Sequence, residues 1–215
     1  NLRYDGTSRF RRDNRWVWTP SVSLGWNIAH ENFWESLRDI VSTLKLRASY
    51  GKLANQNTTS WYPTYVTMPL GTANGSWLIN GQRPNTANAP GLVSTDLTWE
   101  KVQTTNIGLD IAMLQNRLNV VFDWYIRDTK DMIGPAPVLP ATLGTDPPRM
   151  NNTDLRTRGW ELSINWQDRL AMGLGYRIGL TLSDARTEIT NYPSTNRALD
   201  KYYTGKKMGQ IWGYT

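Results

Sequence analysis

The chain has 215 residues, no cysteine, one histidine and a formal net charge of +6, with 11 tryptophans and 10 tyrosines against 3 phenylalanines. Such a composition offers little material for disulfides, a metal cluster or a catalytic triad. No stretch reaches the ~18 apolar residues of a membrane helix, which leaves a membrane β-barrel open because barrel strands average out on a hydropathy scale.

Alternation of apolar and polar residues predicts most of the regular structure. Asn1–Tyr4 has the pattern of the end of a strand, and the clearest alternation follows at Trp16–Ile28. A strand places successive side chains on opposite faces, so this segment belongs to a sheet with one apolar and one wet face. A short helix is predicted at Asn32–Val41. The later strands are predicted at Leu44–Tyr50, Trp99–Met113, Leu118–Arg127, Gly159–Gln167 and Gly173–Ser183.

The connections between these strands alternate between short and long. Met113–Arg117 and Asp168–Met172 are tight links, whereas Lys52–Leu97, Asp131–Arg158 and Ala185–Thr215 are long. Short turns on one rim and long loops on the other are typical of outer-membrane barrels. A strand of 13 residues such as Trp16–Ile28, at ~3.3 Å per residue and tilted about 40°, rises roughly 30 Å, enough to cross the apolar band. The sequence therefore predicts an all-β fold, an antiparallel transmembrane β-barrel.

Tryptophan positions suggest where the strands meet the membrane surface. Trp16, Trp18, Trp99 and Trp160 fall near the ends of their strands that lead into the long loops, so they are predicted to form an outer aromatic girdle. Pro20 lies inside a predicted strand and cannot donate to the ladder. We therefore expect Pro20 near the outer end of its strand, at a bulge or beside an unpaired stretch.

Several polar clusters have simpler explanations than a functional site. The arginines between Arg9 and Arg15 carry no recognition motif, so a solvated loop is favoured over nucleic-acid binding. His30 is interpreted as a rim residue, and the glycines at 173–175 as strand residues rather than a dinucleotide loop. Oxygen ligands in one long loop could hold calcium, although turn chemistry explains them better; they are Asp146, Asn151, Asn152 and Asp154. No catalytic residue, metal site or cofactor is predicted, and the chain is not expected to be an enzyme.

A series of motifs resembles the SusC/RagA family of TonB-dependent outer-membrane transporters, and it covers nearly the whole chain. The motifs are Asp5–Phe10 (DGTSRF), Trp18–Trp26 (WTPSVSLGW), Leu44–Gly51 (LKLRASYG), Leu97–Lys101 (LTWEK), Asn106–Asp110 (NIGLD), Arg158–Leu162 (RGWEL) and Gly209–Tyr214 (GQIWGY). This resemblance implies a barrel of about 22 strands around a plug, of which this chain would form an arc of about six or seven strands.

The resemblance also implies a function and a place in the cell. Residues 1–215 would be part of the barrel domain, with the plug, the TonB box and the signal peptide outside this chain. The whole protein would lie in the bacterial outer membrane and import glycans or peptides, energised through TonB. A SusD-like surface lipoprotein would be its partner, and nucleic acid would not.

Two groups of side chains are the candidate functional residues. Seven charged residues are predicted to face the lumen, where they could contact the plug or line a polar path, or form ordinary ion pairs of the wall: Lys45, Arg47, Asp110, Asp123, Arg127, Glu161 and Arg177. Loop aromatics could bind substrate or partner, or pack among themselves; they are Trp61, Tyr62, Tyr65, Trp77, Tyr202, Tyr203 and Trp212.

An alternative is a soluble β-rich glycan-binding or adhesin module. Such a module would need a second sheet, or its own closure, to cover the Trp/Leu/Ile face of the strands. A requirement for detergent separates the two hypotheses.

Overall fold

The computed structural model describes residues 1–58, 60–72, 78–87, 89–134, 136, 140–145, 147–193 and 202–211. Its strands, in chain order, are β1 (Leu2–Gly6), β2 (Trp16–Asn27), β3 (Val41–Asn55), β4 (Leu70–Thr72), β5 (Asn85–Ala87), β6 (Glu100–Met113), β7 (Leu118–Gly134), β8 (Met150–Arg169) and β9 (Gly175–Asn191). Short 3-10 helices span Arg12–Asn14, Ile28–His30, Asn32–Leu37 and Ala141–Leu143. None of the helices in the described residues is long and apolar enough to cross a membrane.

Seven of the strands form one antiparallel sheet in the order β1-β2-β3-β6-β7-β8-β9, while β4 and β5 pair separately in the long loop before β6. Each strand hydrogen-bonds to the next long strand along the chain, which is the up-and-down topology of barrel walls. The described sheet is open, with β1 and β9 at its edges. The predicted antiparallel arc of six or seven strands is confirmed.

Most of the strands extend beyond the segments that the alternation predicts, whereas β2 and β6 match theirs to within one residue. The strand predicted at Leu118–Arg127 continues to Gly134, and the one predicted at Gly159–Gln167 begins at Met150. In these extensions both faces carry polar residues, so the apolar period that marks a strand is absent even though the ladder continues. The loop predicted at Asp131–Arg158 is correspondingly shorter.

The short links are built by unusual backbone conformations. Leu114, Gln115 and Asn116 all have positive φ, of 53°, 59° and 65°, between β6 and β7. The turn between β8 and β9 uses Gly173 at φ 82°. The helix predicted at Asn32–Val41 is a 3-10 helix that ends at Leu37, because Val41 already begins β3.

Buried apolar side chains gather at the long-loop end of the sheet. The one buried apolar cluster within the described ranges consists of Phe10, Val17, Leu97 and Trp99. Trp99 is 5 % exposed and donates its indole N–H to the Arg15 carbonyl at 3.2 Å. The prediction that Trp99 belongs to a membrane girdle is therefore wrong, because the loops of β1–β2 and β5–β6 close over it.

The other girdle tryptophans lie on the apolar face. Trp16 and Trp18 are 57 % and 54 % exposed, and both rings pack on Tyr4 with centroids 4.9 and 4.4 Å away. Pro20 lies opposite Leu2 of β1, at the point where pairing of β2 with β3 has not yet begun. Its missing N–H therefore leaves no gap in the β2–β3 ladder, as the sequence predicts.

One glycine makes room for charged side chains on the polar face. A Cβ built on Gly108 would lie 2.6 Å from both Arg47 Nη2 and Asp123 Oδ1. Gly51 lies on the same face of the neighbouring strand, and a Cβ there would meet only Ser21 Cβ at an ordinary 3.7 Å. Gly108 is therefore required by packing, whereas Gly51 is not.

We expect Gly108→Ala to lower the free energy of unfolding by about 1–2 kcal/mol, because the added methyl overpacks a held ion pair. Gly51→Ala is the matched control and should be close to neutral. Thermal unfolding of the intact protein, followed by circular dichroism, measures both. Equal midpoints for the two variants would contradict the close contact.

Candidate functional site

The apolar face of the sheet carries a continuous belt. Strand register aligns one row of apolar side chains across five neighbouring strands: Leu46, Leu109, Phe122, Leu162 and Leu182. Toward the long loops the next row contains Trp124 and Trp160, and the row after that contains Arg158 and Arg186. The belt therefore ends abruptly, with tryptophan at its border and charge beyond it. Aromatic borders of this kind lie at the level of lipid head groups.

Side chains of the belt remain exposed. Leu24, Ile178 and Leu180 are 73 %, 63 % and 51 % exposed, respectively. An uncovered apolar area of this extent on a folded chain marks a surface that meets protein or lipid. Since it spans seven strands and has an aromatic border, lipid is the environment that it fits.

The opposite face carries the seven charged residues predicted to line the lumen. The strand register places all seven on the same face of the sheet; they are Lys45, Arg47, Asp110, Asp123, Arg127, Glu161 and Arg177. The lumen assignment and the plug contact themselves stay predictions. Three of the seven meet directly, and the others lie along β3, β7, β8 and β9.

Arg47 is the centre of that meeting. It donates from Nε and Nη2 to the two oxygens of Asp110 at 2.9 and 2.8 Å, and from Nη2 to Asp123 Oδ2 at 3.0 Å. Bidentate pairing of guanidinium with carboxylate is the strongest form of such contacts. Asp123 Oδ1 is buried and has no hydrogen-bond partner among the described residues. The arrangement forms a wall ion pair that leaves one acceptor free.

The remaining members of the charged set have individual partners or none. Arg177 donates to Gln167 Oε1 at 3.0 Å, and the Arg127 guanidinium lies 5.9 Å from the centroid of the Tyr125 ring. Lys45 lies opposite Asp110 in the ladder, and Glu161 lies opposite Asp123. The polar face therefore mixes both signs of charge instead of presenting one.

Hydrogen bonds of Glu100 and Asn151 connect neighbouring segments at the long-loop end of the sheet. Glu100 is 5 % exposed and accepts hydrogen bonds from the Ile133 N–H at 3.3 Å and Asn55 Nδ2 at 3.2 Å. It lies outside the apolar belt, and burial raises the pKa of its carboxyl above the ordinary value. Asn151 joins this end by exchanging two hydrogen bonds of 2.9 Å with the backbone of Thr98.

The oxygen-rich residues predicted in one long loop serve as structural hydrogen-bond groups. Asp154 accepts from Lys130 Nζ at 2.9 Å and from the Asp131 N–H at 3.0 Å. Asn152 accepts from Thr153 Oγ1 at 3.0 Å. Asp146 lies outside the described residues, and no group of three metal-ligating side chains occurs within the rest. The sequence prediction of a loop is wrong for Asn151, Asn152 and Asp154, because all three lie in β8 and form hydrogen bonds there.

The predicted loop aromatics fall into two separate groups. Arg9 stacks its guanidinium 4.3 Å from the Trp61 ring centroid, while Tyr62 packs edge-on against Tyr65 at 6.0 Å. In the second group Tyr202 packs against Tyr192 at 5.9 Å, and Lys206 Nζ lies 5.9 Å from the Tyr203 ring. Trp77 and Trp212 lie outside the described residues.

A cavity of about 510 Å³ opens among the long loops beside the first aromatic group. Of its lining, only the tyrosines are predicted from the sequence, because the walls come from three loops that are distant along the chain. Its lining includes Tyr62, Tyr65, Leu92, Ile133, Pro147 and Arg149. The cavity combines aromatic and aliphatic walls with hydroxyl and amide side chains and one cation, Arg149.

A two-faced antiparallel sheet, with an apolar belt, an aromatic border and long loops at one rim, defines a wall segment of a transmembrane β-barrel. The family model for TonB dependent receptor-like β-barrels matches residues 1–212. The chain belongs to this family, and the resemblance carried by the sequence motifs is confirmed.

Individual relatives agree with this assignment. The chain is 31% identical over 191 residues to TonB-dependent receptor SusC of Bacteroides thetaiotaomicron, covering 88% of this chain and 19% of SusC. It is 33% identical over 225 residues to TonB-dependent receptor P3 of Formosa agariphila, covering 99% of this chain and 22% of that receptor. The chain thus spans about a fifth of the length of these relatives.

Solved structures show the same fold. The RagAB peptide transporter superposes with a TM-score of 0.73 at 26% identity, covering 88% of this chain and 20% of that chain. The RagAB peptide importer in its "open-open" state gives a TM-score of 0.71 over 91% of this chain.

A charge at the centre of the belt tests which face meets lipid. Leu182→Arg should cost about 2–4 kcal/mol, because a cation at the bilayer midplane is poorly solvated. Ser183→Arg is the matched control, since Ser183 lies on the polar face opposite Glu161. The fraction of intact receptor that reaches the outer membrane in folded, protease-resistant form measures both variants. Equal folded fractions, or a greater loss with Ser183→Arg, would contradict the face assignment.

Proposed function

We propose that this chain forms part of the wall of an active importer in the bacterial outer membrane. The importer takes up glycans or peptides, draws its energy from TonB and works with a SusD-like surface lipoprotein. The observation that carries the proposal is the two-faced sheet in a chain of the TonB-dependent receptor family. In this proposal, energy transfer acts through a plug inside the barrel.

Each surface of the sheet has a role in this proposal. The apolar belt contacts lipid, and the polar face, including Arg47 and Asp123, faces the lumen. On the polar face, positive and negative side chains lie near one another. Such a wall suits a lumen that must hold a plug and then release it, because few of its charges need an ion-pair partner on the plug.

The long loops provide the contact with substrate or lipoprotein. Trp61 and Tyr62 are 72 % and 62 % exposed, and Arg9 keeps the Trp61 ring in place through bonds to the Gln56 carbonyl and Thr58 Oγ1. Exposed aromatics held by their neighbours lose little entropy on binding and are frequent anchors of protein interfaces. Such rings also stack on sugars, so both substrate classes remain in the proposal.

Dependence on TonB tests the proposal as a whole. A strain lacking the receptor gene and a strain lacking TonB should both fail to grow when the imported glycan or peptide is the sole nutrient. Restoring the intact receptor should recover growth only in the strain that retains TonB. Growth that is indifferent to TonB, together with an intact protein that is monodisperse without detergent, would favour the soluble binding module.

The aromatic pair of the first loop group gives a sharper test. Trp61→Ala combined with Tyr62→Ala should weaken lipoprotein co-purification or nutrient uptake by about tenfold, as truncation of an interface anchor does. Phe33→Ala is the control, because Phe33 is 67 % exposed at the opposite rim. Loss of co-purification assigns the pair to the lipoprotein, and loss of uptake alone assigns it to the substrate. No change in either readout would show that the rings only pack within the loop.

A further inference from the structure

A basic groove lies on the lipid-facing side of the sheet, at the point where the apolar belt ends. It has a volume of about 270 Å³ and is bordered below by Trp124 and Trp160. Most of the other lining residues are charged, and Gly159 and Thr187 complete the walls. The charged residues that line it are Arg156, Arg158, Asp184, Arg186, Glu188 and Lys207.

Two arginines in this groove are placed against the ordinary rule for sheets. Arg158 and Arg186 lie directly opposite each other in the β8–β9 ladder. Like charges in that position destabilise a sheet. Within the described part of the chain Arg158 has no carboxylate within 4.0 Å, and Arg186 reaches only Asp184, at 3.5 Å with both side chains largely exposed. Folding alone gives no reason for this pair.

The surrounding charges do not cancel it. Arg156 is already engaged by Asp128 through bonds of 2.6 and 3.1 Å. Glu188 lies opposite Arg156 in the ladder, and its backbone pairs with that of Lys207 in an isolated β-bridge along its other side. Four cations thus meet three carboxylates: Arg186 has only the exposed contact with Asp184, and Arg158 has no carboxylate within 4.0 Å among the described residues.

We propose that this groove binds the phosphate-bearing head group of a lipid in the outer leaflet. Two adjacent guanidiniums can grip one phosphate with parallel hydrogen bonds, and the phosphate would relieve their mutual repulsion. The Trp124 and Trp160 rings, one row below, contact the apolar part of the same lipid. This inference rests on the proposed function, because only a membrane-spanning wall places the groove at head-group depth.

The test compares lipid binding by intact receptors purified in detergent. Diphosphorylated lipid A is the probe, and the same glycolipid without its phosphates is the reference. Native mass spectrometry should show one tightly bound phosphorylated lipid on the wild-type receptor. Arg158→Gln combined with Arg186→Gln should weaken this binding at least about tenfold, since each basic residue near a lipid surface contributes about a fivefold factor.

The matched control removes two arginines elsewhere. Arg11→Gln combined with Arg12→Gln changes two exposed loop residues outside the sheet and should leave lipid binding unchanged. Equal binding by wild type and the Arg158/Arg186 variant would overturn the inference, as would equal affinity for the dephosphorylated lipid. Displacement of the lipid by millimolar inorganic phosphate would mean that the groove is a site for the free ion.

The outcome can be separated from a failure of the proposed function. A receptor that folds in detergent, imports its nutrient and binds no phosphorylated lipid would refute only the groove. An intact protein that is monodisperse without detergent would refute the importer and the groove together. Circular dichroism of both arginine variants, compared with the wild type, verifies that any loss of lipid binding occurs in folded protein.

Discussion

Backbone hydrogen bonding in lipid is the constraint on which the rest of this structure depends. An unpaired N–H or carbonyl in the bilayer core costs several kcal/mol, so strands that cross it must be paired along their length. Once they are paired, the register decides which side chains meet lipid, because a slip by one residue exchanges the two faces. Such a slip of β3 would bury Leu46 in the lumen and turn Arg47 toward the acyl chains.

The same constraint explains why the buried cluster lies at one end of the molecule. A soluble sheet hides its apolar face under a second layer, whereas this sheet leaves Leu24 and Ile178 open along the belt. Within the described residues, the buried apolar cluster lies where the strands leave the belt, around Phe10 and Trp99. The loops there are not in contact with lipid. They are therefore stabilised by their own apolar core and by the hydrogen bonds that Glu100 accepts from Asn55 and Ile133. Stability in the wall comes instead from ladders, lipid and ion pairs.

The sequence predicts the part of the fold that the bilayer imposes. Alternation at Trp16–Ile28 identifies a strand, since one side must be apolar there. Beyond Arg127, polar residues occur on both faces of β7. The seven further residues to Gly134 therefore show no alternation of apolar and polar side chains. The sequence predicts that Trp99 belongs to the aromatic girdle, because it is a tryptophan near the end of a strand. It does not reveal that loops from two places in the chain cover this side chain. For the candidate site, the alternation along each strand predicts which charged residues share a face. The pairing of Arg47 with Asp110 and Asp123 cannot be predicted in this way, because it depends on the register across three strands.

Arg47 and Arg158 show how one residue type takes different roles on the two faces. Arg47 has two carboxylates within 3.0 Å, and Gly108 leaves the space in which they meet. Its charge is satisfied inside the chain, so Arg47 needs no ligand. Arg158 faces another arginine and finds no carboxylate in the described residues. At the border of an apolar belt the abundant anions are lipid phosphates, which can stabilise a cation so placed. The uncompensated charge therefore lies on the face where the surroundings can supply its partner.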